Sequence, residues 1–242
     1  MRFYTLFALA CLPLLGACQF LGGQSDQLRP QRITWEQRAD ACQGEGCSLV
    51  NVDTLQFAEQ STLNSLIERA LLAMADAETG SPSLRDYSRA QLQREPRGQE
   101  TWLQAKLIDQ HDDLLVIELS SYLNRGGAHG LPGRTFINYS TSRQRALQTR
   151  DLLIPGGEEM FWQAASEAHQ RWLREQKLEQ DADFRGNWPF QPTANIALLR
   201  DKVLLKYDVY AIAPYTMGHP TLSIPYSRLR NVLRPEFLPA QK

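Results

Sequence analysis

What the sequence lacks narrows it first. Its one pronounced apolar run, near the N-terminus, falls short of the roughly 20 residues that a bilayer-crossing helix needs. Charge of one sign is missing too: Lys plus Arg number 26 and Asp plus Glu 27, which removes any electrostatic argument for nucleic acid or for wrapping an anionic surface. Cysteine and histidine occur four times each in 242 residues. There is no G-x-S-x-G elbow, no H-E-x-x-H, no P-loop and no dinucleotide fingerprint, so the common hydrolytic and nucleotide-dependent templates are absent. The chain is therefore expected not to be an enzyme and to need no cofactor.

What is present begins at the N-terminus. Arg2 is followed by an apolar stretch through Leu6, Phe7, Leu9, Leu12 and Leu15, then by Gly16, Ala17 and Cys18. One positive charge, an apolar core and small residues form a signal peptide, residues 1–17. Leu15-Gly16-Ala17-Cys18 resembles the bacterial lipobox, which implies cleavage before Cys18 and a lipid on its sulfur. More than one acyl chain on one residue anchors firmly, since a single chain holds only marginally. Gln19 stands where, by resemblance to the sorting rule of enteric bacteria, an aspartate would retain the protein in the inner membrane. The expected location is the outer membrane, facing the periplasm. Residues 18–32, with Gly22, Gly23, Ser25 and Pro30 among glutamines, have little to bury and are expected to be a flexible tether.

Once Cys11 has left with the signal peptide and Cys18 carries lipid, Cys42 and Cys47 remain. The segment "CQGEGC" has two glycines between its cysteines, which lets the chain bend sharply enough to join them. An oxidising compartment makes a disulfide the expectation. A zinc or haem site would need other spacing or more ligands.

Beyond the tether, periodicity separates helices from strands. Leu63, Leu66, Ile67, Ala70 and Met74 recur at offsets of three and four, an amphipathic helix over 58–76. A second helix runs from Leu84 to about Gln93. Alternation then sets in: Leu103, Ala105 and Leu107, then Leu115, Ile117 and Leu119, two strands joined at His111-Asp112-Asp113, expected to be a solvated hairpin tip. "RTFINYS" is a third strand, and Arg143 to Leu147 starts a fourth. Phe161, Ala164, Ala165, Ala168 and Trp172 lie on one face of the strongest helix, with Glu158 and Glu159 at its positive end. A turn at Arg200-Asp201-Lys202 leads into a long strand carrying Val203, Leu205, Tyr207, Val209 and Ala211 on one face. A short strand over Leu222 to Ile224 and a last helix from Tyr226 close the chain. The fold class is α+β, an antiparallel sheet packed against helices on one face.

The run "NRGGAHGLPGRTFINYS" concentrates four glycines around His129. Gly126, Gly127, Gly130 and Gly133 are expected to turn the backbone through positive φ, joining the strand that ends near Asn124 to the one beginning at Arg134. His129 would cap that turn through the backbone or the "APYTMG" loop, as a structural device or as part of a contact surface. His219, in "YTMGHP", also adjoins glycine. With a carboxylate the two histidines could bind a metal, but glycine-flanked histidines are more commonly hydrogen-bonded turn residues, and no metal is expected. Gly127, His129, Tyr215, His219 and Tyr226 are the candidate ligand-binding residues, tyrosine being suited to interfaces.

"GGAHG", "TRDLL", "VLLKYDVYAIAPYTMG" and "IPYSRL", in this order and spacing, resemble the extracytoplasmic domain family shared by RsiV, the lysozyme-sensing anti-sigma factor, and the N-terminal region of the peptidoglycan deacetylase PdaC. The resemblance implies two intimately packed halves, 33–145 of PdaC type and 146–242 of RsiV type, and a domain whose best-understood member grips c-type lysozyme through its loops. With no cytoplasmic segment before the domain and no deacetylase domain, only the binding part of the family's function is expected to transfer. The expected partners are the bilayer, through acylated Cys18, and c-type lysozyme or another envelope protein or wall ligand; nucleic acid is not among them. A metal-assisted peptidoglycan hydrolase and a structural component of an envelope assembly are the alternatives.

Overall fold

The computed structural model describes residues 27–40, 42–44, 46–76, 81–95 and 97–239. The signal peptide, Cys18 and the tether as far as residue 26 lie outside the described residues. Cys42 and Cys47 are joined in a disulfide with their Cα atoms 5.6 Å apart. Among the described residues no helix is long and apolar enough to cross a membrane.

Six strands form the larger sheet in sequence order: β1 (Gln31–Arg38), β2 (Leu49–Gln56), β3 (Glu100–His111), β4 (Leu114–Asn124), β5 (Leu131–Ser140) and β6 (Arg145–Ala146). Every neighbouring pair is antiparallel except β2 and β3. Parallel neighbours need a crossover, and here it carries α1 (Ser61–Met74) and α2 (Leu84–Arg94). These helices cover one face of the sheet. Leu63, Ile67 and Leu71 of α1 meet Val50, Val52 and Leu103 in a core closed by Phe57 and Tyr139.

The second sheet, β7 (Ile196–Leu198), β8 (Lys202–Lys206) and β9 (Thr221–Pro225), is antiparallel throughout. The short α3 (Thr149–Leu152) leads into α4 (Glu158–Glu175), and α5 (Ala182–Asn187) follows. The face of α4 marked out by its periodicity, Phe161, Ala164, Ala165, Ala168 and Trp172, is buried as expected, with Glu158 and Glu159 in its first turn. It packs in one core with Val203, Leu205, Leu222 and Ile224. The α+β class holds, but the helices serve two sheets.

The second sheet docks on the larger sheet's other face, with β7 against β5. Asn138 of β5 acts as a strand backbone would: its Nδ2 donates to the Ile196 carbonyl at 2.7 Å and its Oδ1 accepts from the Leu198 amide at 2.8 Å. The β3–β4 tip docks on the β7–β8 turn, where the Arg200 amide donates to Asp109 and the Arg200 guanidinium to the Gln110 carbonyl. His111 is buried and its Nε2 donates to the Leu198 carbonyl at 3.0 Å. Only the middle residue of the His111-Asp112-Asp113 turn is the solvated tip expected from sequence; its left-handed φ of 48° closes the hairpin.

Three expectations fail for identifiable reasons. The strand β1 reaches back to Gln31, so residues 31 and 32 pair with Gln56 and Leu55 instead of belonging to a tether. The long strand ends at Lys206: the Tyr207 amide turns to the Pro220 carbonyl, and Tyr210 takes a φ of 68°. Apolar alternation persists beyond it because Val209 is buried and Ala211 packs on the core as loop residues. Among the described residues no α-helix follows Tyr226, which opens a 3-10 turn, Tyr226–Arg228, with another at Pro235–Phe237. The backbone of 232–234 is spent on pairing with 152–154, through Ile154 N to Val232 O and Arg234 N to Leu152 O.

On α4, His169 is 2% exposed, lies 5.7 Å from the rings of Trp172 and of Phe190, and has no hydrogen-bond partner on either nitrogen. Burial holds its pKa below the usual 6.5. The unfolded chain takes up a proton near pH 6.5 that the fold refuses until lower pH, so stability falls as pH drops below that value. His169→Phe should flatten this loss, seen as a smaller difference between urea midpoints at about pH 7.5 and about pH 5.5. His219, also depressed by burial, contributes what slope remains.

Candidate functional site

The glycine corner connects β4 to β5 as the sequence indicates, with β5 starting at Leu131, three residues before Arg134. Its glycines have different tasks. Gly126 alone among the four takes a positive φ, 81°. Gly127, Gly130 and Gly133 do not, which corrects that expectation. Gly130 and Gly133 are there for close approach: a Cβ on Gly130 would sit 2.2 Å from Tyr122 Cζ, and one on Gly133 2.7 Å from Ser121 Oγ.

Gly130 joins both sides of the corner. Its amide donates to the Tyr122 hydroxyl at 3.2 Å, and its carbonyl accepts from Tyr215 Oη at 2.9 Å and from His129 Nδ1 at 3.1 Å. The His129 and Tyr215 rings lie 4.2 Å apart, and Tyr210 stands 5.6 Å beyond Tyr215, 48% exposed. The imidazole thus caps the corner through the backbone and stacks on the "APYTMG" loop. Gly130→Ala is expected to cost about 1–3 kcal/mol through overpacking and to shift the Tyr122 ring, read by urea denaturation and by the ring's NMR signals.

The other candidates separate from this group. His219 Nδ1 donates to the Tyr207 carbonyl at 3.0 Å, while its Nε2 is buried without a partner. Burial lowers its pKa, Arg134 and Lys206 add to the lowering, and the Tyr207 bond and Asp208 oppose it. Tyr226 is a core residue: its hydroxyl donates to the Leu199 carbonyl at 2.6 Å, and burial with Asp109, Asp201 and Asp112 nearby pushes its pKa up. Gly127 sits in the exposed bend with only the His129 carbonyl near it. Among the described residues no group of three His, Cys, Asp or Glu side chains is placed to hold a metal ion.

Beside the corner opens a groove of about 640 Å³ between α1 and β5, lined by Met74, Leu131, Gly133, Asn195, Asp208 and Val209. Its volume lies within the roughly 300–1,000 Å³ usual for ligand sites. Asp208 Oδ1 accepts from the Arg134 amide and Asn195 Nδ2 donates to the Arg134 carbonyl, so both backbone groups of that residue are held by the second half. Sequence reasoning missed this groove because its lining comes from five separate stretches of the chain.

The comparisons with known proteins agree with this architecture. Residues 150–227 match the model of a protein family of unknown function, DUF3298. The peptidoglycan-N-acetylmuramic acid deacetylase PdaC of Bacillus subtilis is 22% identical over 247 residues, covering 99% of this chain and 52% of PdaC. The chain thus spans about half the length of that curated relative. A DUF3298 family member from Bacteroides fragilis shares the fold, with a TM-score of 0.68 at 18% identity over 87% of this chain and 95% of that one. A crystal structure of a DUF3298 family protein from Pseudomonas aeruginosa PAO1 superposes with a TM-score of 0.86 at 48% identity, covering 90% of this chain and all of the other. With identity at that level across the whole of a solved relative, this chain belongs to the DUF3298 family.

Proposed function

We propose that this chain is a non-catalytic, lipid-anchored envelope protein, tethered through Cys18 to the outer membrane and facing the periplasm, that binds a protein partner through the glycine corner. The partner that the resemblance to the RsiV-type domain points to is c-type lysozyme. The observation that carries this reading is the aromatic group at the corner: Tyr210, Tyr215 and His129 in contact, with Tyr210 exposed, beside an apolar-walled groove. Tyrosine anchors next to a recess dominate the energetics of protein interfaces. The relation to a peptidoglycan deacetylase, PdaC, supports a setting at the cell wall.

The test is calorimetric titration of the purified chain with a c-type lysozyme, alongside residual lysozyme activity. Binding and inhibition are expected, and Tyr215→Ala should weaken binding at least about 30-fold, the effect of losing one hot spot. No heat at tens of micromolar removes lysozyme as the partner.

A further inference from the structure

Outside the corner, the structure has a second surface arranged for a different ligand. The second sheet covers the outer face of β4 and β5 only as far as Lys206, which pairs with Glu118 and lies over the Phe136 ring. Beyond that point the outer face is bare across five strands. Register places two adjacent rows there. One runs Glu36, Asn51, Trp102, Tyr122 and Pro132, the other Thr34, Asp53, Gln104, Ser120 and Arg134. Together they bound a depression of about 550 Å³ that takes in Arg32, Trp102, Gln104, Ser120 and Tyr122.

We propose that this depression binds an uncharged oligosaccharide, with Trp102 as the stacking platform for a sugar ring. Trp102 is 42% exposed in the middle of a five-strand surface, where packing within the fold gives its indole no reason to be. Its Nε1 donates to Glu100 Oε2 at 3.3 Å, which favours one orientation and reduces the freedom lost when a ligand arrives. An aromatic face carries negative potential and attracts the weakly positive C–H face of a pyranose.

The neighbours of Trp102 suit hydroxyl groups. Asp53 is held by Arg32 Nε and Nη2, at 2.6 and 2.8 Å, and accepts from Gln104 Nε2 at 2.6 Å. That network leaves the Gln104 carbonyl oxygen free to accept and neutralises the central charge. Among the described residues Thr34 and Ser120 have no side-chain hydrogen bond, and Asn51 makes a long one, 3.4 Å, to Glu36. Small sites of this kind pair an aromatic surface with a few convergent polar groups. The charges near the depression, Arg32, Arg134, Asp53, Glu36 and Glu100, mix both signs, so it offers no field to a polyanion. Its floor has too few aliphatic groups to seat an apolar peptide.

The depression adjoins the corner at Tyr122, but the two proposed ligands rest on different residues, Trp102 and Tyr215, and the experiment separates them. The purified chain is titrated with chitotetraose and with cellotetraose, by calorimetry and by tryptophan fluorescence, with dextran sulfate as a polyanion control. Saturable binding of at least one tetrasaccharide is expected, with a fluorescence change and no comparable response to dextran sulfate. Trp102→Ala should weaken it at least tenfold with an unchanged unfolding midpoint, Trp102→Phe should retain part of the affinity, and Tyr215→Ala should leave it intact. Ser120→Glu, which sets a charge in the depression, should also weaken it and serves if Trp102→Ala folds poorly. Failure of both sugars to bind at millimolar concentration, equal affinity in Trp102→Ala, or a dominant response to dextran sulfate overturns the proposal. None of these outcomes bears on lysozyme binding.

Discussion

Asn138→Leu, a substitution close in volume, is expected to lower the unfolding free energy by about 2–6 kcal/mol, because it strands two buried backbone groups at about 1–3 kcal/mol each. Those groups are the carbonyl of Ile196 and the amide of Leu198, in residues 3% and 0% exposed. In an ordinary sheet each would bond to a neighbouring strand. Here β7 has β8 on one side only, and the Asn138 amide on the other side stands in for a backbone, donating and accepting two residues apart. Leucine would fill the space and supply neither bond. Asn138→Asp should be no better: its carboxylate can accept from Leu198 but faces the Ile196 carbonyl with a like partial charge. Urea denaturation followed by tryptophan fluorescence gives the loss, and hydrogen exchange at 196–198 should accelerate before the larger sheet loosens. A loss below about 1 kcal/mol would show that water replaces the amide and that the halves are held elsewhere.

The elements legible in the sequence were those with strong, unshared periodicity. The α1 and α4 stripes, the alternation of β3 and β4, the Arg200-Asp201-Lys202 turn and the glycine corner all stand where the residues put them. Local chemistry sufficed too for the disulfide, which needs only a flexible linker between Cys42 and Cys47. What escaped was long-range. β1 is a half-exposed edge strand whose Ile33, Trp35 and Gln37 alternate too weakly to announce it, and the parallel pairing of its neighbour β2 with β3 is fixed by a crossover that no local pattern encodes. Val209 and Ala211 show the opposite failure, a loop packed on the core and read as a strand because burial and alternation coincided.

The candidate site was legible in part for the same reason. His129 could be placed near the "APYTMG" loop because two glycine-flanked segments in one sheet invite contact, and Gly130 provides it. In sequence Tyr226 is like Tyr215, and His219 is like His129, but they have other duties: Tyr226 anchors Leu199 and His219 holds Tyr207. The bare row around Trp102 could not be foreseen. Whether an outward residue of a strand is covered depends on where the other half stops, and that is set by Asn138, His111 and Lys206 making contacts far along the chain.

The same docking depends on one carboxylate at the β3–β4 tip, and its removal has the second large expected effect. Asp113 accepts from Ser140 Oγ at 2.5 Å, Thr141 Oγ1 at 2.7 Å, and the Ser142 amide and hydroxyl at 2.6 and 2.7 Å. Partial burial pushes its pKa up, but the bonds from Ser140, Thr141 and Ser142 outweigh that and hold it at about 2. These bonds tie the β3–β4 turn to the end of β5, fixing His111 and Asp109 where they meet Leu198 and Arg200. Asp113→Ala should cost about 2–4 kcal/mol at neutral pH, the worth of one or two charge-assisted hydrogen bonds after water takes up the rest. Because the folded pKa lies below the usual 3.8, the contribution of Asp113 is present above that value and fades as pH falls through about 2. The gap in urea midpoint between the parent chain and Asp113→Ala should therefore be constant from neutral pH down to the ordinary carboxylate range and narrow below it. Asp113→Asn, which keeps the shape and one accepting oxygen, should fall between the two and show no such narrowing in its own titration. A gap that stays constant through strong acid would mean that the ionised carboxylate is not what holds the tip.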